Sequence, residues 1–72
     1  MDFPQILTEL RKDYDLTKDQ LAQKIGYSNV IISYWESGKR EPSGKALKAL
    51  AKFFSVSADY LLGLEDEYGN PL

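Results

Sequence analysis

The spacing of helix-starting and helix-stopping residues in LTKDQLAQKIGYSNVIISYWESG, Leu16 to Gly38, constrains the fold more than any other feature of the chain. Thr17 and Gln20 stand at the spacing of a T-x-x-Q capping box, so a helix opens sharply at Thr17. Gly26 supplies the left-handed residue that ends it. Ser28 is a good N-cap for the next helix, which stops at Ser37–Gly38. Two helices joined by so tight a turn cross steeply, so the residue at the crossing must be small and both need inward apolar anchors. Leu21, Ala22 and Ile25 meet that demand in the first helix. Ile32 and Trp35 meet it in the second, with Ile31 at the flank. Ala22 and Gly26 lie one helical turn apart, on the side facing the partner helix.

Helical spacing dominates elsewhere too. Ile6, Leu7, Leu10 and Tyr14 recur at steps of three and four and predict a first helix from about Pro4 to Tyr14. KREP forms a loop, since Pro42 cannot sit inside a helix. Ser43 caps a fourth helix, Gly44 to about Phe54, with Ala46, Leu47, Leu50, Ala51 and Phe54 on its apolar face. Ser57 caps a short fifth helix, Ala58–Leu62, closed by Gly63. The expected fold is all-α, five short helices in one domain over residues 1–64. Residues 65–72, with Glu65, Asp66, Glu67, Gly69 and Pro71, read as a frayed acidic tail or the start of a linker.

Composition narrows the function. A core drawn from 72 residues is marginal unless it is well packed or shared with a partner. The chain has no Cys and no His, which removes disulfides, thiolate metal sites, the usual zinc ligand and the usual general base near neutral pH. Asp13, Asp15 and Asp19 flank a capped helix start, where acids suit the helix dipole. No phosphate-cradling G-x-x-x-x-G-K-[ST] loop is present. These features argue against an enzyme, and no metal or cofactor is expected. No apolar run approaches membrane-spanning length and no secretion signal pattern opens the chain, so the expected compartment is the cytoplasm, at the nucleoid when bound to DNA. The net charge of −2 hides an asymmetry. All nine Lys and Arg lie within residues 11–52, and Lys39, Arg40, Lys45, Lys48 and Lys52 face Glu41 alone between residues 39 and 52. Local charge, not the net, decides contact with phosphates.

LT…LA…IG, IS-x-WE-x-GKR-x-PS and VS-x-DYLL sit at one set of spacings across residues 6–63. In this set the chain resembles the phage repressor/Cro-like (lambda-repressor-like, XRE-type) family of helix-turn-helix transcription regulators. The resemblance implies a compact five-helix DNA-binding domain in which helices two and three form the helix-turn-helix. The third helix would enter the DNA major groove, usually in a symmetric dimer. It puts the base-reading positions on Asn29, Val30 and Tyr34, with Ser33 beside them. Asn29 can pair bidentately with adenine, and Val30 can pack on a thymine methyl. Phosphate contacts fall at Thr17, Lys18 and Ser28, at helix starts, and at Ser37, Lys39, Arg40, Ser43 and Lys45 beyond the third helix. The family commonly has Gln where this chain has Lys18. The resemblance also implies a structural ion pair between Arg11 and Glu36. Tyr60, Leu61, Leu62 and Leu64, many apolar residues for so short a terminal segment, fall where the family makes its dimer contact.

The expected function is therefore a sequence-specific double-stranded-DNA-binding regulator, a repressor acting as a homodimer on a palindromic operator. Two alternatives remain open at this point. The chain could be an antitoxin-like or other protein-interaction module that neutralises a partner through its C-terminal region, or the DNA-binding fragment of a longer regulator.

Overall fold

The computed structural model describes all 72 residues. Five helices follow one another: α1 (Phe3–Asp13), α2 (Lys18–Ile25), α3 (Asn29–Ser37), α4 (Gly44–Phe54) and α5 (Ala58–Leu61). Each opens on a polar cap. Asp2, Thr17, Ser28, Ser43 and Ser57 accept the backbone N–H three residues on, satisfying a donor that has no partner within the helix. Asp2 moves the start of α1 ahead of Pro4. Its carboxylate accepts from the Gln5 N–H at 3.3 Å, and the Gln5 side chain accepts from the Asp2 N–H at 3.3 Å, a full capping box.

The helix ends are equally uniform. Asp15, Gly26, Gly38, Ser55 and Gly63 all take positive φ. The next residue's N–H then reaches back five positions: Leu16 to the Arg11 carbonyl at 3.1 Å, Tyr27 to Ala22 at 2.9 Å, Lys39 to Tyr34 at 2.9 Å, Val56 to Ala51 at 3.0 Å, and Leu64 to Asp59 at 2.8 Å. This is the Schellman closure at all five ends. It stops α5 at Leu61, because Leu62 already belongs to the cap that Gly63 completes. At Gly63 only glycine fits. A Cβ there would stand 2.4 Å from the Met1 carbonyl oxygen, so the turn after α5 lies directly on the N-terminal backbone.

The core takes one fully buried aliphatic side chain from every helix: Leu7, Leu21, Ile32, Leu50 and Leu61. Each contributes about 2 kcal/mol relative to exposure. No buried residue is polar or charged. Leu61 is therefore a core anchor, 0 % exposed, and not a dimer contact as its place in the C-terminal apolar run suggested. Trp35 stands between two rings edge-on, Tyr27 at 5.2 Å and Phe3 at 6.5 Å. Tyr14, the C-cap of α1, meets Phe54 edge-on at 4.9 Å, and its hydroxyl donates to the Phe54 carbonyl, an otherwise unpaired acceptor at the end of α4. α3 packs on α1 and α2, α4 on α2 and α5, and α5 on α1. Within this arrangement α2 and α3 form the helix-turn-helix.

Residues 65–72 fold back on themselves instead of trailing away. Glu65 bridges to Pro71, and the Leu72 N–H donates to the Leu64 carbonyl at 3.1 Å. The Asp66 carboxylate accepts the N–H groups of Tyr68 and Asn70, both at 2.9 Å. The Asn70 N–H, more than any other group, holds the Asp66 carboxyl below its ordinary pKa. Desolvation opposes it, and the Tyr68 N–H and the Asn70 side chain add to it.

Candidate nucleic-acid interface

The orientation of α3 about its own axis is fixed from one side. Ile32 and Trp35 are buried, and Glu36 is clamped to α1. Arg11 donates to Glu36 through Nε at 2.7 Å and Nη2 at 3.0 Å, and through Nη1 to the Leu16 carbonyl at 2.8 Å. The two side chains are only 13 % and 7 % exposed. The hydrogen bonds to Glu36 raise the Arg11 pKa above its ordinary value, burial works against them, and the Glu36 charge adds to the rise. The fork ties α1, the α1–α2 turn and the end of α3 into one unit.

With that side occupied, helical geometry gathers Asn29, Val30, Ser33, Tyr34 and Ser37 on the other. Asn29 and Val30 are exposed, Val30 at 54 %, while Ser33 and Tyr34 are half-buried. Val30 is one of the large apolar side chains that the fold leaves in water. Such a side chain at the start of a rigid helix, beside an amide, is suited to base edges and thymine methyls.

The candidate anion-binding groups lie at helix starts. Thr17 accepts from Gln20 N–H at 3.1 Å, Ser28 from Ile31 N–H at 3.3 Å, and Ser43 from Ala46 N–H at 3.1 Å. Each hydroxyl keeps its own proton for an incoming oxygen, and each stands at the positive end of a helix dipole. Because α2 packs on both α3 and α4, the three starts sit on adjoining elements. Lys18 and Lys45, in the first turns of α2 and α4, are exposed. Ser37 differs from the other hydroxyls. Its Oγ donates to the Tyr34 carbonyl at 3.2 Å, so in this structure its proton is turned into the helix end. Asp19 in the first turn of α2 and Glu41 beside Arg40 are exposed acids in the same track.

Lys39 and Arg40 follow α3 directly. The Lys39 Nζ lies 5.8 Å and the Arg40 guanidinium carbon 5.3 Å from the centroid of the Tyr34 ring. Sequence reasoning did not find this grouping. The available sign was Gly38 as the left-handed residue of the cap, because that cap folds the following side chain back over the last turn.

The C-terminal apolar residues form a separate surface. Tyr60 is half-buried, whereas Leu62 and Leu64 are 42 % and 58 % exposed. No cluster of acidic side chains could hold a metal ion, and no helix is long and apolar enough to cross a membrane.

Comparison with known proteins agrees with this geometry. The helix-turn-helix family model matches residues 7–61. The transcriptional activator BcrR of Enterococcus faecalis is 46 % identical over 66 residues, which are 92 % of this chain and 32 % of BcrR. The repressor protein C2 of Salmonella phage P22 is 44 % identical over 52 residues, 72 % of this chain and 24 % of the repressor. The chain thus spans a third or less of the length of these two relatives. The crystal structure of the P22 c2 repressor with a synthetic operator superposes with a TM-score of 0.82 at 37 % identity, covering 86 % of this chain and 94 % of that one. Since the matched segment runs from α1 to the end of α5 and takes in the capped α2–turn–α3 unit, the chain belongs to the phage-repressor-like (XRE-type) helix-turn-helix family.

Proposed function

We propose that this chain is the DNA-binding domain of a transcription regulator that recognises a palindromic operator in double-stranded DNA as a homodimer, with α3 in the major groove. The observation that carries the proposal is the exposed Asn29–Val30 face at the start of α3, a helix whose opposite side is buried through Ile32 and Trp35 and whose last turn is tied to α1 by the Arg11–Glu36 fork. The structural likeness to a repressor solved on its operator supports it. Asn29 and Val30 read base edges, with Ser33 and Tyr34 behind them on the same face. Thr17, Lys18, Ser28, Lys39, Arg40, Ser43 and Lys45 meet phosphates and fix the register. The exposed Leu62 and Leu64, with the edge of Tyr60, form the contact between two copies. Occupancy of the operator is the whole activity of the domain, and no chemistry is performed. We read the outcome as repression, in the cytoplasm at the nucleoid. One relative is named an activator and another a repressor, so the same domain serves both signs of control.

The test separates readers from anchors. Asn29→Ala should lose about 1–3 kcal/mol at one base position of each half-site and little on other duplexes. Arg40→Ala should weaken all duplexes alike and reduce the slope of log affinity against log salt by about one unit. An equal loss on every operator variant for Asn29→Ala, or an unchanged salt slope for Arg40→Ala, contradicts the assignment. The exposed Leu62–Leu64 surface also suits a partner protein, as an antitoxin-like module would need. Co-purification of such a partner, with no duplex bound, would favour that reading.

A further inference from the structure

At four of the five helix ends the residue after the left-handed position is apolar: Leu16, Tyr27, Val56 and Leu64. That residue ordinarily packs back on the last helical turn. At α3 it is Lys39, and what it packs on is the Tyr34 ring, at 5.8 Å. Arg40 shares the ring at 5.3 Å. The Tyr34 carbonyl meanwhile accepts the Lys39 N–H at 2.9 Å and the Arg40 N–H at 3.4 Å. One residue therefore holds both cations twice, their backbones by its carbonyl and their charged heads by its ring. Neither cation is paired with a carboxylate, since the ion pair of this molecule is Arg11–Glu36.

Building on the DNA-binding reading above, we propose that Tyr34 is a positioning residue whose ring pre-arranges Lys39 and Arg40 for DNA phosphates. Long cationic side chains lose rotamer freedom when they bind. A ring that already holds them removes part of that loss. The attraction to the ring face uses charge rather than donors, so N–H groups remain free for phosphate oxygens. The role is independent of base sequence, and it differs from reading a base through the Tyr34 hydroxyl.

The experiment compares wild type, Tyr34→Phe and Tyr34→Leu on two duplexes, one recovered by selection from a random library and one of scrambled sequence. Fluorescence anisotropy is read across a salt series, with thermal melts to confirm folding. Tyr34→Phe keeps the ring and is expected to bind the scrambled duplex, where no base is read, as the wild type does, with the same salt slope. Tyr34→Leu is expected to weaken both duplexes equally, by about two- to five-fold, with base preference unchanged. In a background carrying Lys39→Ala and Arg40→Ala, Tyr34→Leu should have no further effect. In the free protein, the side-chain protons of Lys39 and Arg40 should show ring-current shifts that Tyr34→Phe preserves and Tyr34→Leu abolishes. A changed base preference in Tyr34→Phe, no loss in Tyr34→Leu, or the same loss without the two cations would each overturn the inference. Wild-type protein that binds neither duplex would overturn the DNA-binding reading and this inference together, which sets that failure apart from the others.

Discussion

At the scale of single residues, the decisive ones are those that fix a direction. Each of the three Arg11 guanidinium nitrogens donates one hydrogen bond, two to the Glu36 oxygens and one to the Leu16 carbonyl. Removing it strands a carboxylate whose side chain is 7 % exposed. Arg11→Ala should therefore cost about 3 kcal/mol in denaturant unfolding. A loss within the range of an exposed pair, below about 1 kcal/mol, would show that the fork does not hold α3. Val30 sits at the other extreme, apolar and in water, and it contributes little to the fold. Its legibility in the sequence came from helical spacing, because the anchors Ile32 and Trp35 define which face is left over. Leu61 was not legible in the same way. A run of apolar residues at a chain end carries no register, and only the packed structure divides Tyr60 and Leu61 from Leu62 and Leu64. Nor could spacing show that Ser37 spends its proton on Tyr34.

At the scale of elements, the helix starts were written plainly in Thr17, Ser28, Ser43 and Ser57, since side-chain oxygens at those positions do one local thing. The ends were legible where glycine marked them and not where Asp15 and Ser55 do the same work at φ 55° and 56°. Left-handed backbone at a serine is strained, so Ser55→Gly should raise stability by about 0.5–1 kcal/mol, a few degrees in Tm. No gain would mean that the Ser55 side chain offsets its own strain. Glycine ends should respond in the opposite direction and unequally. Gly26 has open space around a built Cβ, so Gly26→Ala adds only backbone strain, about 1 kcal/mol. Gly63→Ala adds a collision with the Met1 carbonyl and should cost about 3 kcal/mol. Equal losses would contradict the close approach of the N-terminal backbone to the α5 turn.

The folded-back segment after α5 was invisible in the sequence, because its order comes from one carboxylate accepting two backbone N–H groups. Asp66 has its folded pKa lowered relative to the unfolded chain. Its contribution is therefore present above the unfolded value and is lost as pH falls through the folded one. The amide shifts of Tyr68 and Asn70 should titrate together with a midpoint below 3.8, the ordinary value for this carboxyl. A midpoint at or above 3.8 would show that the turn does not hold the charge.

At the scale of the whole molecule, an acidic chain carries all nine of its cations between residues 11 and 52, against five of its eleven acids, and closes on three acids at residues 65–67. Net charge would have argued against DNA, and the distribution argues for it. The fold joins that stretch to a clamped helix on which Asn29 and Val30 stand exposed. Two copies related by a two-fold axis would set two such helices about 34 Å apart, roughly one turn of duplex. Selection from a random duplex-DNA library at moderate salt, followed by sequencing, tests this most directly. The expected result is a palindrome whose half-sites lie about 10 base pairs apart, centre to centre, with thymine favoured at the position Val30 covers. Folded protein that enriches no sequence would contradict it, and would make the Asn29–Val30 face a surface for something other than DNA.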